Sequence, residues 1–143
     1  MAVKQISVFL ENKKGRLADV TKAIADNGIN IKALALADTS DFGLLRLIVD
    51  RPDDCRKILK DNNFVVQETD VLAVEIEDRP GGLQRVLTVL DSRDVNIEYM
   101  YATIEKKADR AAVIFKTADL GRTEKTLAEN GVKVCGDDFL QKI

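Results

Sequence analysis

The chain has 143 residues, 45% of them hydrophobic and 32% charged, with a formal net charge of −2. That balance builds a globular core and gives no basic footprint for nucleic acid or for an anionic membrane surface. There is no His and no Trp; the commonest general base at neutral pH and the commonest metal ligand are missing, which excludes most hydrolase mechanisms.

The first element is a period-2 strand in which Ile6, Val8 and Leu10 alternate with Ser7 and Phe9, the pattern of a half-buried strand. Leu17, Val20 and Ile24 follow at helical spacing, and Gly28 is placed to end that helix. Asn30-Ile31 opens a second strand, Ile31-Lys32-Ala33-Leu34-Ala35-Leu36-Ala37, that is apolar on both faces, so its second side is expected to be covered. A third strand is predicted from Gly43 to Val49. A helix starts at Pro52-Asp53-Asp54, and a fourth strand lies near Phe64 to Gln67.

The same order then repeats. Leu72, Val74 and Ile76 alternate as a strand; Leu83, Val86 or Leu87, and Leu90 form one helix face, which ends near Asp91-Ser92-Arg93-Asp94; Asn96-Ile97 opens the next strand. Arg110 to Phe115, a helix from Asp119-Leu120-Gly121, and Val132 to Cys135 complete the unit. Residues 11–31 laid over 77–97 give six identities in 21 columns, where average usage supplies roughly one or two. Farther on the shift grows from 66 to 68, which predicts a two-residue insertion before or within the second crossover. Length alone suggests one domain; the duplication predicts two, residues 1–70 and 71–143.

β-α-β-β-α-β is the split βαβ order, so the fold class is α+β with two ferredoxin-like repeats, each a four-stranded antiparallel sheet with two helices on one face. The other sheet face needs cover from the second repeat, from a second chain or from both. Tyr99 and Tyr101 point to the face opposite Met100; the three either line a pocket for a ligand side chain or pack at an interface, and interface packing is expected for at least one of the two faces.

The segment least like packing material is the turn Asn12-Lys13-Lys14-Gly15-Arg16-Leu17, with its counterpart Asp78-Arg79-Pro80-Gly81-Gly82-Leu83. A glycine before a helix lets backbone N–H groups face outward at the positive end of the helix dipole, a ready site for a carboxylate. Asn12 or Asp78 can meet an ammonium, and together these suit an α-amino acid. The alternative is a tight turn with a side-chain N-cap and nothing bound. If the turns bind, Ala at Gly15 or Gly81 is expected to weaken binding at its own site by crowding or reshaping the N–H groups, with less effect on folding.

Glu11-Asn12-x-x-Gly15-x-Leu17-x-x-Val20 and Asp78-Arg79-Pro80-Gly81-Gly82-Leu83, each followed by a helix and an Asn-Ile strand start, resemble the signature of ACT domains over both halves of the chain. The first repeat is most similar to the small regulatory subunit of acetohydroxyacid synthase, although Lys14 stands where Pro is common. The resemblance implies a regulatory module that binds a free amino acid at an interface between paired domains and catalyses nothing. It implicates Asn12, Gly15, Leu17, Asn30 and Ile31 in one repeat and Asp78, Pro80, Gly81, Leu83, Asn96 and Ile97 in the other; Lys14, Arg16 and Gly82 join them as turn residues.

The rival readings are a ligand-independent interaction module, a carboxylate-dependent enzyme and an RNA binder. No nucleophile-base pairing supports the second, and 5% aromatic residues with no basic-aromatic run weighs against the third. Asp53-Asp54 and Asp137-Asp138 read as a helix start and a solvated turn, not as metal ligands, so no metal or cofactor is expected. Cys55 and Cys135 read as small buried residues of a reduced compartment, with a bridge left open. The start has no long apolar signal core, and no segment reaches the roughly 18 apolar residues of a membrane helix. The expected setting is cytoplasmic, the expected state a homodimer, and a regulated protein partner is compatible with both.

Overall fold

A computed structural model describes residues 2–38, 41–104 and 109–136. The chain divides into two compact units, Lys4–Thr69 and Asp70–Ile143, the latter including Met1–Val3.

The first unit holds β1 (Val3–Glu11), α1 (Arg16–Asp26), β2 (Ile31–Asp38), β3 (Phe42–Val49), α2 (Pro52–Asp61) and the start of β4 (Val65–Glu77). Its strands lie in the order β2-β3-β1-β4. β3 is antiparallel to both neighbours, with Val8 and Leu36 opposite Leu45, and Ile6 and Leu34 opposite Leu47. Paired residues share a face, so Ile6, Val8, Leu10, Leu45 and Leu47 form one apolar surface. Val20 and Ile24 of α1 and Cys55 and Leu59 of α2 bury against it, each large side chain contributing about 1.5–3 kcal/mol. Leu17 departs from the expected helix face: it is 40% exposed, whereas its counterpart Leu83 packs against the core of its unit.

The second unit holds the rest of β4, α3 (Gly82–Ser92), β5 (Ile97–Ala102), β6 (Arg110–Thr117), α4 (Leu120–Glu129) and β7 (Val134–Cys135). Here β6 lies between β5 and β4, and β7 pairs with the other edge of β4. Phe115, Leu72 and Val113 pack with Val86, Leu90 and Leu127. Both units therefore have the ferredoxin-like βαββαβ topology. The last strand of the first repeat and the first of the second are one 13-residue strand, β4; no breaker residue stands between Val65 and Glu77. Leu36 pairs with Leu45 and Ala102 with Val113, which sets the two-residue insertion between β5 and β6, ahead of the second crossover.

Among the described residues all four helices stop in the same way. Gly28, Asn63, Asp94 and Gly131 take φ of 69°, 65°, 57° and 73°, and the N–H of the next residue returns to the helix: Ile29 to Ile24 O, Phe64 to Leu59 O, Val95 to Leu90 O and Val132 to Leu127 O. This is the Schellman ending, in which the left-handed residue redirects the chain and satisfies orphan carbonyls. Asp94 performs in α3 the task of Gly28 in α1, which is why α3 needs no glycine to end.

The outer sheet face of the first unit is mixed. Gln5 and Ser7 are buried and hydrogen-bonded to each other at 3.2 Å, whereas Phe9 and Phe42 are 43% and 55% exposed. In the second unit Tyr99 and Tyr101 stack on that face with centroids 6.5 Å apart, while Met100 points to the opposite one.

Candidate functional site

Both strand-to-helix turns are built alike. Lys13 O accepts from the Arg16 N–H and Arg79 O from the Gly82 N–H, closing four-residue turns with Gly15 (φ 89°, ψ −13°) and Gly81 (φ 84°, ψ −6°) third. Those angles are the third position of a type II turn, where glycine is favoured and Pro is common just before it. Pro80 fills that preceding position in the second unit; Lys14 does so in the first, without the preset φ of a proline.

The turns leave donors unused. The Arg16 N–H bonds back to Lys13 O and the Asp19 N–H to Gly15 O. Between them, the Leu17 and Ala18 N–H groups are left for an outside acceptor. Gly82 and Arg85 bond in the same way to Arg79 O and Gly81 O, leaving Leu83 and Gln84. No side chain caps α1 or α3, whereas Asp119 caps α4 by accepting the Arg122 N–H. The backbone N–H of Asn12 bridges to Asp41 O at 3.2 Å and that of Asp78 to Asp109 O at 2.6 Å, so both side chains stay exposed without serving as N-caps.

In the second unit the turn borders a cleft of about 220 Å³ lined by Pro80, Gly81, Gly82, Glu75, Arg85 and Arg110, among others. Glu75 accepts from Arg110 Nε at 2.9 Å and lies 3.4 Å from Lys133 Nζ, and Arg110 also reaches Glu77 at 3.6 Å. Burial pushes the Glu75 carboxyl up, but Arg110 and Lys133 outweigh it and hold it below its ordinary value. Register equates Glu75, Arg110 and Lys133 with Phe9, Phe42 and Val65 of the first unit. An ionic cluster thus stands where the other repeat carries exposed apolar side chains. Sequence reading missed it, because its members are distant in the chain and meet only through strand pairing.

The candidate residues fall into two groups in each unit. Asn12, Lys14, Gly15, Arg16 and Leu17 sit at one end of the first sheet, and Asp78, Pro80, Gly81, Gly82 and Leu83 at one end of the second. Asn30 and Ile31, and likewise Asn96 and Ile97, lie at the opposite ends. Glu11 faces Phe42 while Ile31 faces Val49, seven residues along β3 and so about 23 Å away; Glu77 with Arg110 and Ile97 with Thr117 repeat that separation. Arg16 also packs its guanidinium over the Phe64 ring, 4.8 Å from the centroid, which ties the first turn to its own core.

Alanine at the turn glycines carries a backbone cost. A Cβ at Gly15 or Gly81 would meet no atom of the chain within 4 Å, so alanine there clashes with nothing in the protein itself. Both glycines have positive φ, and an L-residue there costs about 1–2 kcal/mol. Gly15→Ala and Gly81→Ala are expected to lower the denaturation midpoint by that amount, with Asn at either position about half as costly because its side chain tolerates the left-handed region. Denaturant titration of the four variants checks the order.

Cys55 and Cys135 are free and buried, and burial pushes both thiols up to about 11, which makes them inert at neutral pH. Asp53 and Asp54 lie in the first turn of α2; Asp137 and Asp138 lie outside the described residues. Among the described residues no three His, Cys, Asp or Glu side chains stand where they hold a metal ion, and no helix is long and apolar enough to cross a membrane.

Duplicated ferredoxin-like units, each with a glycine turn that opens a helix N-terminus, define a tandem pair of small α+β modules. The chain belongs to the ACT family: the model described as ACT domain pair matches residues 1–143. Among solved structures, a protein from Bacteroides thetaiotaomicron is 40% identical, with all of this chain and 98% of that one covered at a TM-score of 0.93. The regulatory subunit of aspartate kinase from Thermus thermophilus is 16% identical over 88% of this chain and 91% of its own (TM-score 0.63). That of Thermus flavus is 18% identical over 87% and 88% (TM-score 0.61). These two share the fold. No curated protein matches this chain in sequence.

Proposed function

We propose that this protein is a non-catalytic regulatory module, two ACT-like domains spanning 1–70 and 71–143, that binds a free amino acid. The observation that carries the reading is the pair of uncapped glycine turns. Each leaves two adjacent helix N–H groups for an acceptor, and backbone donors at a helix N-terminus suit a carboxylate. Membership of the ACT domain pair family supports it, as does the fold shared with subunits whose names call them regulatory. The exposed Leu34, Leu36 and Phe42 supply apolar surface for a homodimer or a regulated partner, and they are also what favours the second reading, a ligand-independent interaction module.

The test is a thermal screen of all twenty amino acids at millimolar concentration. A ligand that binds only the folded form stabilises it by about 2.7 kcal/mol at 100 times Kd, and each kcal/mol moves the midpoint of a chain this size by about 2–5 °C. One or a few amino acids are expected to give a shift of that size, and glycine, which has no side chain to select, a smaller one. No selective shift from protein verified to be ligand-free would leave the interaction module as the better account.

A further inference from the structure

The chain carries two Asn-Gly pairs, Asn27-Gly28 and Asn130-Gly131. Asparagine before glycine is the pair most prone to spontaneous deamidation, because glycine has no side chain to hold its backbone nitrogen away from the asparagine amide. In that reaction the glycine nitrogen bonds the Asn Cγ, the Cγ–Nδ2 bond breaks, and ammonia leaves with the proton lost from the glycine N–H. Water then opens the cyclic imide to aspartate or isoaspartate. One water is consumed for each ammonia released, and nothing is oxidised or reduced.

Both pairs end helices, and the ending holds the reacting atoms apart. Asn27 and Asn130 close α1 and α4 with ψ of 12° and 18°, which turns the next nitrogen away from the Asn side chain. The Gly28 N–H is bonded to Ala25 O at 3.0 Å and the Gly131 N–H to Ala128 O at 3.2 Å. Each side-chain amide is engaged as well: Asn27 Nδ2 donates to Ala23 O and Asn130 Nδ2 to Thr126 O, both at 2.8 Å. Ring closure therefore waits on local opening of the helix end.

The two ends are not equally fastened. Arg51 Nη2 bonds Asn27 O at 2.7 Å, and just beyond, the Asn30 N–H bonds the Asp50 carboxylate at 3.0 Å while Asn30 O accepts the Asp50 N–H at 3.1 Å. These bonds tie the exit of α1 to the start of α2. Among the described residues no side chain bonds Asn130 O, and β7, the strand that follows α4, is two residues long. We infer that Asn130 is the deamidation site of this protein and that the Arg51 latch protects Asn27. The change falls beside the second turn, since Gly131 and Lys133 line the same cleft as Gly81 and Arg85. A carboxylate at position 130 loses the donor that Asn130 gives Thr126 O and lies at the negative end of the α4 dipole. Isoaspartate also adds a methylene to the backbone ahead of Gly131.

The experiment incubates the full chain in mildly alkaline buffer, folded and in urea, and follows the tryptic peptides 23–32 and 126–133 by mass spectrometry, with fragmentation to place the change. In urea the two Asn-Gly pairs are expected to react at similar rates. In the folded chain both slow, and Asn130 is expected to react at least about tenfold faster than Asn27, the worth of the extra hydrogen bonds at the α1 exit. Arg51→Ala should speed Asn27 by about three- to tenfold and leave Asn130 unchanged. Hydrogen exchange makes the same comparison without a variant: the Gly131 amide is expected to exchange faster than that of Gly28. Equal rates at the two sites in the folded chain, a faster Asn27, or no effect of Arg51→Ala on Asn27 overturns the inference. Should Arg51→Ala not fold, the rates in the native chain and the two glycine amides decide.

Discussion

Gly82→Ala will destabilise the second unit by about 3 kcal/mol, the upper end of the ordinary range for overpacking. A Cβ built on Gly82 lies 2.0 Å from the backbone oxygen of Glu77, closer than any two such atoms approach. That oxygen cannot swing aside as a side chain does: it accepts the Arg79 N–H at 3.0 Å and belongs to the last residue of β4, which pairs with Arg110. Relief therefore requires the second turn and the end of β4 to shift toward the geometry of the first, where Arg16 carries a Cβ and still bonds Lys13 O. At about 2–5 °C per kcal/mol the midpoint falls by roughly 6–15 °C. Arg16 occupies the same column in the first repeat, so the requirement belongs to the second turn alone, and Arg16→Gly is expected to cost far less than Gly82→Ala. Thermal denaturation of the two variants side by side measures the difference, and equal losses would contradict it.

Phe115→Ala will cost about 3–5 kcal/mol, the usual range for deleting a buried aromatic. Phe115 is fully buried on β6, opposite Leu72 and Met100, in the cluster with Val86, Leu90 and Leu127. Its removal takes away the transfer free energy of the ring and leaves a cavity that the sheet and two helices only partly close. Against a typical total stability of about 5–15 kcal/mol, this places the variant near the edge of unfolding. Phe115→Leu, which installs the residue found at the matching Leu47, retains most of the volume and should lose less than half as much. Denaturant midpoints of both variants test the ordering.

Much of this protein was legible in its sequence, because period-2 and helical spacing are local and the duplication repeats them. Ile6, Val8 and Leu10, then Val20 and Ile24, then Asn30-Ile31 mark strand, helix and strand without any distant contact, and the second repeat gives the same reading with Leu72, Val86 and Asn96. The glycine turns were legible for a related reason: only a residue without Cβ sits easily at φ near 85°, so Gly15 and Gly81 betray the bend by identity. Asp94 was not, since an αL aspartate looks like any other polar residue until the chain direction is known.

The chain sequence by itself determined the element order, the repeat, the α+β class and the turns where backbone donors gather. Only the tertiary structure decided which side chains meet. Strand register brings Glu75 of β4, Arg110 of β6 and Lys133 just ahead of β7 together, and places the Asn-Ile starts about 23 Å from the turns that precede them. Tertiary contact also separates the two Asn-Gly pairs, identical as dipeptides, because Arg51 latches Asn27 alone. Local periodicity is set by each segment's own geometry, but contacts between distant residues depend on how strands align, and a single shift in register changes every one of them.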